Sequence, residues 1–364
     1  MSNLHQIHEL GQATWLHYMR RGFFQSGEFR QAIQDGIQGV TADANTMAQT
    51  IANHDDYDEA IHQQVRAGTP YREIHKALMF DDVQRAADIL HPIFEESEGL
   101  NGFATLELDP ALAQDATATV ATAKHILADI DRGNVMVEIP ATSAGCDAIR
   151  SLTADGVSLN ATHILSIGTF ERVAQEYIAG LELYFERHSV WRITPTAVAS
   201  FSVSAIDGAI DPLLEEKGLP ELKGQTGLAL AHLLCERYRQ IFSGPRWNKL
   251  ARKGARSMRP KWTRLTPKYP ELPRLLYAES LIGPDTVLTF GPNTLAIFQE
   301  KGKVAQTLPG DLSAARAHIE ALYDAGLDVS ALLDTLHDER LAASITQYET
   351  LIRSVTDKLY AVGQ

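Results

Sequence analysis

The sequence is short of cysteine, of basic charge relative to acidic, and of long apolar runs. Only two cysteines, Cys146 and Cys235, occur in 364 residues. A disulfide framework is thereby excluded, and a reducing compartment is the natural setting. Lysine and arginine number 33 against 46 aspartates and glutamates, a formal net charge of −13. Such a chain has no electrostatic pull toward nucleic acid or an anionic membrane. No apolar stretch reaches the roughly 18–20 residues that span a bilayer, and the opening MSNLHQIHELGQATW lacks the basic-then-apolar order of a secretory leader. The expectation is a cytoplasmic protein that binds neither nucleic acid nor membrane, acts on a small molecule, and exists as a monomer or homodimer. Repeats, low-complexity tracts, a Walker loop, a dinucleotide-binding glycine fingerprint and a CxxC pair are also missing.

What the chain does have is material for one large core: 45% hydrophobic and 22% charged residues, ordinary for a globular enzyme. Short β-rich runs alternate with amphipathic segments. Candidate strands are Thr14–Leu16, Gly39–Thr41, Phe103–Leu108, Val135–Ile139, Val157–Ile164, Ala197–Val203, Lys261–Leu265 and Thr286–Thr289. Segments such as DATATVATAKHILADIDRG and FERVAQEYIAGLELYFERH carry apolar residues at helical spacing. Strands each followed by helices predict a single α/β domain over residues 1–364, a (β/α)₈ TIM barrel. Extra helices are expected before the first strand, after the second (DDYDEAIHQQVRAG, then YREIHKALMFDDVQRAADIL) and from Leu312 to the C-terminus.

On such a barrel the chemistry sits at the C-terminal strand ends. His17 closes the first strand, Asp43 follows the second, Glu107 lies in the third and Glu138 in the fourth. Asn160 and Thr162 are two apart on the fifth, hence on one face. Lys261, Arg264 and Lys268 surround the seventh. A carboxylate between Val137 and Ile139 is costly to bury unpaired. Glu138 could be a structural salt-bridge partner, and His17 a hydrogen-bonded core histidine. Their convergence on one mouth favours chemistry. Other features have plainer readings. DDYDE at Asp55–Glu59 is charge at a helix start. His163 points away from Thr162 into the helix layer, Cys146 is a small core residue, and the basic run KGARSMRPKW is surface and pocket rim.

The run VMVEIPATSAGCDAIRSLTADGVSLNATHILSIGTFERVAQEYIAGLE resembles the fourth- and fifth-strand region of transaldolases. GVTADANTM, LELDPALAQDATATV, FSGPRWNKLARKGARSMRPKW and LIGPDTVLTFGPNTL extend the resemblance along the whole chain, in the longer bacterial subgroup. It implies a barrel of the class I aldolase/transaldolase type. It also implies that Glu138 stands where the family carries its Schiff-base lysine, His17 at its acid/base aspartate, Asp43 at its second-strand asparagine, and Ala205 at a phosphate-binding arginine. Glu107, Asn160, Thr162 and Ser202 match the pattern, and Lys268 keeps a basic residue at the second phosphate contact.

Three functions follow as expectations. The first is a cofactor-free acid/base enzyme of isomerase, cyclase, dehydratase or lyase type. In it Glu138, Glu107, His17, Asp43 and Thr162 do the chemistry, while Asn160, Ser202, Arg264 and Lys268 hold a small, non-phosphorylated substrate. The second is an enzyme whose divalent metal ion is held by His17, Asp43, Glu107 and Glu138. The third is an inactive, metabolite-binding relative.

The alanine at position 205 gives a direct prediction. Losing one charge-assisted contact costs on the order of 1.5–3 kcal/mol, roughly tenfold to a hundredfold in affinity. Fructose 6-phosphate should therefore bind weakly in calorimetry, with Lys268 supplying only a residual anion contact. Low-micromolar affinity would contradict it.

Overall fold

The computed structural model describes residues 2–188 and 193–362. Eight strands form a closed barrel: β1 (Ala13–His17), β2 (Gly39–Thr41), β3 (Phe103–Glu107), β4 (Val135–Pro140), β5 (Leu159–Ile164), β6 (Ala197–Ser202), β7 (Arg259–Thr263) and β8 (Val287–Phe290). Each pairs in parallel with the next, and β8 returns to β1. All eight expected strands are present. The largest displacement from expectation is in β7, which begins at Arg259 and ends before Arg264. Arg259 and Pro260 pair with β6, and Arg264 leaves the sheet in a left-handed conformation with φ 55°. β5 starts two residues later than expected, at Leu159. The expected extra helices are found as Asn3–Glu9, Asp58–Arg66, Tyr71–Glu96, Leu312–Asp324 and Val329–Val362. None of the helices, among the described residues, is long and apolar enough to cross a membrane.

Alternation along the strands sorts the side chains. Val137 and Ile139 face the helix layer, where they are fully buried, so Glu138 between them faces the barrel axis. In a closed barrel the inward residues stack in tiers drawn from alternate strands. The register places His17, Glu107, Thr162 and Thr263 in the upper tier, and Thr41, Glu138, Ser200 and Thr289 below it. Next come Trp15, Thr105, Asn160 and Lys261, and beneath them Gly39, Met136, Val198 and Val287. Most barrels fill these tiers with Val, Ile and Leu. Here the floor is apolar, with Ala13, Trp15, Phe103, Met136, Val198 and Val287 packed together. Everything above it is polar.

The C-terminal helix Val329–Val362 packs on the helix Ala44–Asn53 and reaches β5. It is pinned by Lys358, which pairs with Asp58 at 3.0 Å. The DDYDE run is accordingly a structural anchor: Asp56 also accepts from the Gly22 amide at 3.0 Å, and the buried Tyr57 hydroxyl donates to Asp82 at 2.8 Å.

Trp15 fills its tier because β2 offers no side chain opposite it. A Cβ on Gly39 would lie 2.5 Å from the indole Cε2. Gly39→Ala should thus cost about 1–3 kcal/mol and lower the melting temperature by a few degrees. An unchanged melting temperature would show that the indole is not seated there.

Candidate active site

Glu138 is fixed through one oxygen. Its Oε1 accepts from Thr41 Oγ1 at 2.9 Å, Thr105 Oγ1 at 2.6 Å and Asn160 Nδ2 at 3.1 Å. Asn160 is held in turn by the Ser200 hydroxyl, which donates to its Oδ1 at 2.8 Å. These donors come from β2, β3, β5 and β6, so most of the barrel wall sets one carboxyl orientation. Among the described residues no hydrogen bond goes to Oε2, the oxygen left for a ligand.

Glu107 neighbours Glu138 in register across β3 and β4. Its Oε2 accepts from the Ala44 amide at 2.8 Å. Burial, then the charges of Glu138 and Asp43, push its carboxyl well above the usual carboxylate range, against the help of that amide. The protonated form of Glu107 is favoured accordingly.

Asp43 caps the helix Ala44–Asn53, accepting at Oδ1 from Thr46 N at 2.8 Å and Thr46 Oγ1 at 2.7 Å. Its Oδ2 faces His17 Nε2 at 3.5 Å and Arg264 Nη2 at 3.7 Å. Burial would raise its pKa, but His17, the two bonds from Thr46 and Arg264 together hold it below the ordinary value. For His17 burial dominates and lowers the pKa, and the attraction of Asp43 does not overcome it, with Lys261 and Arg264 opposing protonation as well. The mouth thus sets Asp43 and His17, whose pKa values are both lowered, across from Glu107, whose pKa is raised.

The remaining expected residues are less tightly drawn in. Thr162 lies in the upper tier, opposite Pro140 in register. Ser202 Oγ contacts Thr263 Oγ1 at 3.2 Å. Arg264 contacts Asp43 at 3.7 Å and also acts on Arg340 of the C-terminal helix. Burial, with Arg264 adding to it, lowers Arg340 to about 10, and Asp43 opposes that shift. Lys268 lies against Gly208 on the helix Val203–Glu216. His163 turns into the helix layer, with φ 59°, an edge contact to His337 at 6.3 Å and a pKa lowered by burial to about 3. Cys146 is a buried core thiol whose pKa is raised, first by burial. A cleft of about 840 Å³ lies beside the mouth, lined in part by Thr142, Ser143, Ser166, Arg172 and His337.

The four expected metal ligands do not gather into a coordinating set. Among the described residues no group of three or more His, Cys, Asp or Glu side chains is placed to hold a metal ion. Glu138 Oε1 is filled by three donors, Asp43 Oδ1 by two, and Glu107 Oε2 by a backbone amide.

Sequence reasoning missed the support of the site. Thr41, Thr105 and Ser200 sit at inward positions that the period of two, counted from Glu107, Glu138 and Ser202, would have marked. The basic run KGARSMRPKW is not only surface. Arg259 is buried low in the barrel, bonding Asn101 Oδ1 at 3.0 Å, and Lys261 is buried higher up at 2% exposure.

Comparison with known proteins agrees with this architecture. Residues 22–355 match the family model for transaldolase/fructose-6-phosphate aldolase. The chain is 36% identical to the transaldolase of Thermobifida fusca over 99% of both chains. It is 33% identical to transaldolase 2 of Nostoc punctiforme over 98% of both, and 33% identical to the transaldolase of Frankia alni over 100% of this chain and 99% of that one. The protein belongs to the transaldolase/fructose-6-phosphate aldolase family.

Glu107 makes a testable claim about stability. A carboxyl whose native pKa is raised stabilises the fold below its ordinary pKa, and that contribution is lost as pH rises through the native value. Glu107→Gln is neutral at every pH and can still accept from Ala44. Relative to the parent protein, its melting temperature should rise as pH climbs above the ordinary carboxylate value of about 4.5. A difference independent of pH would mean that Glu107 titrates like an exposed glutamate.

Proposed function

We propose that this barrel is a cofactor-free acid/base enzyme acting on a small, unphosphorylated metabolite, with no imine formed at the fourth-strand position. The observation that carries the proposal is the separation of proton affinities at one mouth. Burial and like-charged neighbours raise the pKa of Glu107, while those of Asp43 and His17 beside it are lowered. Groups whose environments push their pKa values apart mark an acid and its opposing base.

In this reading Glu107 donates a proton to a developing oxyanion. The open Oε2 of Glu138 takes the proton that leaves carbon or a hydroxyl. His17, oriented by Asp43, exchanges protons on the far side of the substrate. Thr162 and Ser202 supply hydroxyls to the substrate, and Asn160 holds Glu138 in place. Isomerisation, dehydration, cyclisation and retro-aldol-type cleavage all draw on this set. Glu138 carries no nucleophilic nitrogen, so an imine has no covalent carrier at that strand. The filled oxygens of Glu107, Glu138 and Asp43 weigh against the metal-dependent alternative.

Proton exchange tests the proposal. Small hydroxycarbonyl compounds incubated with the protein in D₂O should incorporate deuterium next to the carbonyl, followed by proton NMR. Glu138→Gln and Glu107→Gln should each slow incorporation by about a hundredfold or more, as removal of a general acid or base does. Exchange at the parental rate in both variants, or dihydroxyacetone transfer from fructose 6-phosphate to an aldose phosphate, would overturn it.

A further inference from the structure

Lys261 has no part in the chemistry above, yet it occupies the interior of the barrel. It lies on β7, one tier below Glu138, with 2% of its surface exposed. Its Nζ sits 4.9 Å from the centre of the Trp15 ring. Among the described residues no hydrogen bond and no ion pair reaches that nitrogen. Thr289, in the tier above, is 3% exposed, and its Oγ1 has no partner either. Lys261 thus has only the face of an indole against its amine, and the unpartnered Thr289 hydroxyl lies one tier above it, in the same tier as Glu138.

We infer that Lys261 is the covalent nucleophile of this site, capturing the carbonyl carbon of a small aldehyde or ketone as an imine from the seventh strand. The inference deepens the acid/base reading by naming the substrate class, and it rests on that reading for its proton transfers.

The obvious structural role for Lys261 is charge balance with Glu138. The two feel each other's charge, but they are not an ion pair within 4 Å, and Glu138 takes its three bonds from neutral groups. A buried charge pair that served only stability would be in contact, because separated charges leave the cost of desolvation unanswered. Burial moreover lowers the Lys261 ammonium to about 8, against the pull of Glu138. At pH 7 the free amine is then on the order of a hundredfold more abundant than on an ordinary lysine. Desolvation of this kind activates nucleophilic lysines.

The step balances on the residues present. The nitrogen lone pair forms a C–N bond as the carbonyl π pair moves to oxygen, which takes the proton of Glu107. The nitrogen gives one proton to Glu138. Glu138 returns it to the carbinolamine hydroxyl, which leaves as water while the C=N bond forms. The product is a protonated imine with both glutamates ionised, and Glu107 can then remove an α-proton to give the enamine. Thr289 is placed to hold a substrate oxygen.

Reductive trapping decides the matter. The intact protein is incubated at pH 7 with glycolaldehyde, hydroxyacetone or dihydroxyacetone and cyanoborohydride, then digested and mapped by mass spectrometry. The expected result is an adduct at Lys261 that forms at least about tenfold faster than on any other lysine, in line with its larger free-amine fraction. Trapping should rise with pH through about 8. Lys261→Met, which replaces the buried charge with a side chain of similar length, should lose the adduct and the deuterium exchange together. If that variant fails to fold, Lys261→Arg keeps the charge but should lose both signals as well. No preferred adduct with any of the three probes, or undiminished exchange in a folded Lys261 variant, overturns the inference. Exchange that persists in the Lys261 variants but fails in Glu138→Gln would leave the acid/base reading standing. Exchange indifferent to Glu107 and Glu138 would sink that reading instead.

Discussion

Two carboxyl groups sit side by side on adjacent strands inside a closed barrel, and ionising both there is expensive. Like charges a few ångströms apart, behind low-dielectric walls, repel strongly. The site resolves the conflict by giving the two carboxyls different surroundings. Glu138 collects three donors on one oxygen from Thr41, Thr105 and Asn160. Glu107 has a single backbone amide, and burial favours its protonated form. Most other features of the mouth answer to this division. The pKa of Asp43 is lowered first by His17 and then by its helix cap and Arg264, while burial outweighs Asp43 in lowering that of His17.

The fold makes the division possible. Only a closed barrel brings residues from β1, β2, β3 and β4 to one mouth while leaving the polar tiers sealed from the helix layer. Hydroxyl and amide side chains of β2, β3, β5 and β6 then act as a rigid frame, since each is fixed by its own strand. The apolar floor under Trp15 and Met136 keeps water from entering at the other end. The C-terminal helix brings Arg340 close enough to Arg264 and Asp43 for their charges to act on it.

Much of this was legible in the sequence. Eight short apolar runs alternating with helical patterns give the barrel, and the strand-end rule picks out His17, Asp43, Glu107, Glu138 and Asn160. The less legible parts have physical reasons. A threonine or serine in a strand reads as ordinary β-sheet filler, so Thr41, Thr105 and Ser200 become visible only when the register shows them aimed at one carboxyl. The end of β7 was misplaced because Arg264 stops the strand by a backbone turn that its side chain does not announce. Lys261 was assigned to the rim because it sits in a basic run, and a one-dimensional reading cannot separate inward from outward until the strand's starting residue is known. Lys268, close to the site in sequence, packs against Gly208 of the helix that follows β6.

The central claim is that Glu107 holds a proton at neutral pH while the groups around it provide the opposing base. Infrared difference spectroscopy of the parent protein against Glu107→Gln reads that proton directly. At pH 7 the account predicts a protonated-carboxyl carbonyl band in the parent that is missing from the variant, and that disappears from the parent only on further alkalinisation. The other buried acids with raised pKa values, Asp82, Asp207 and Asp211, contribute equally to both spectra and cancel. A difference spectrum showing only the loss of a carboxylate band at pH 7 would contradict the account.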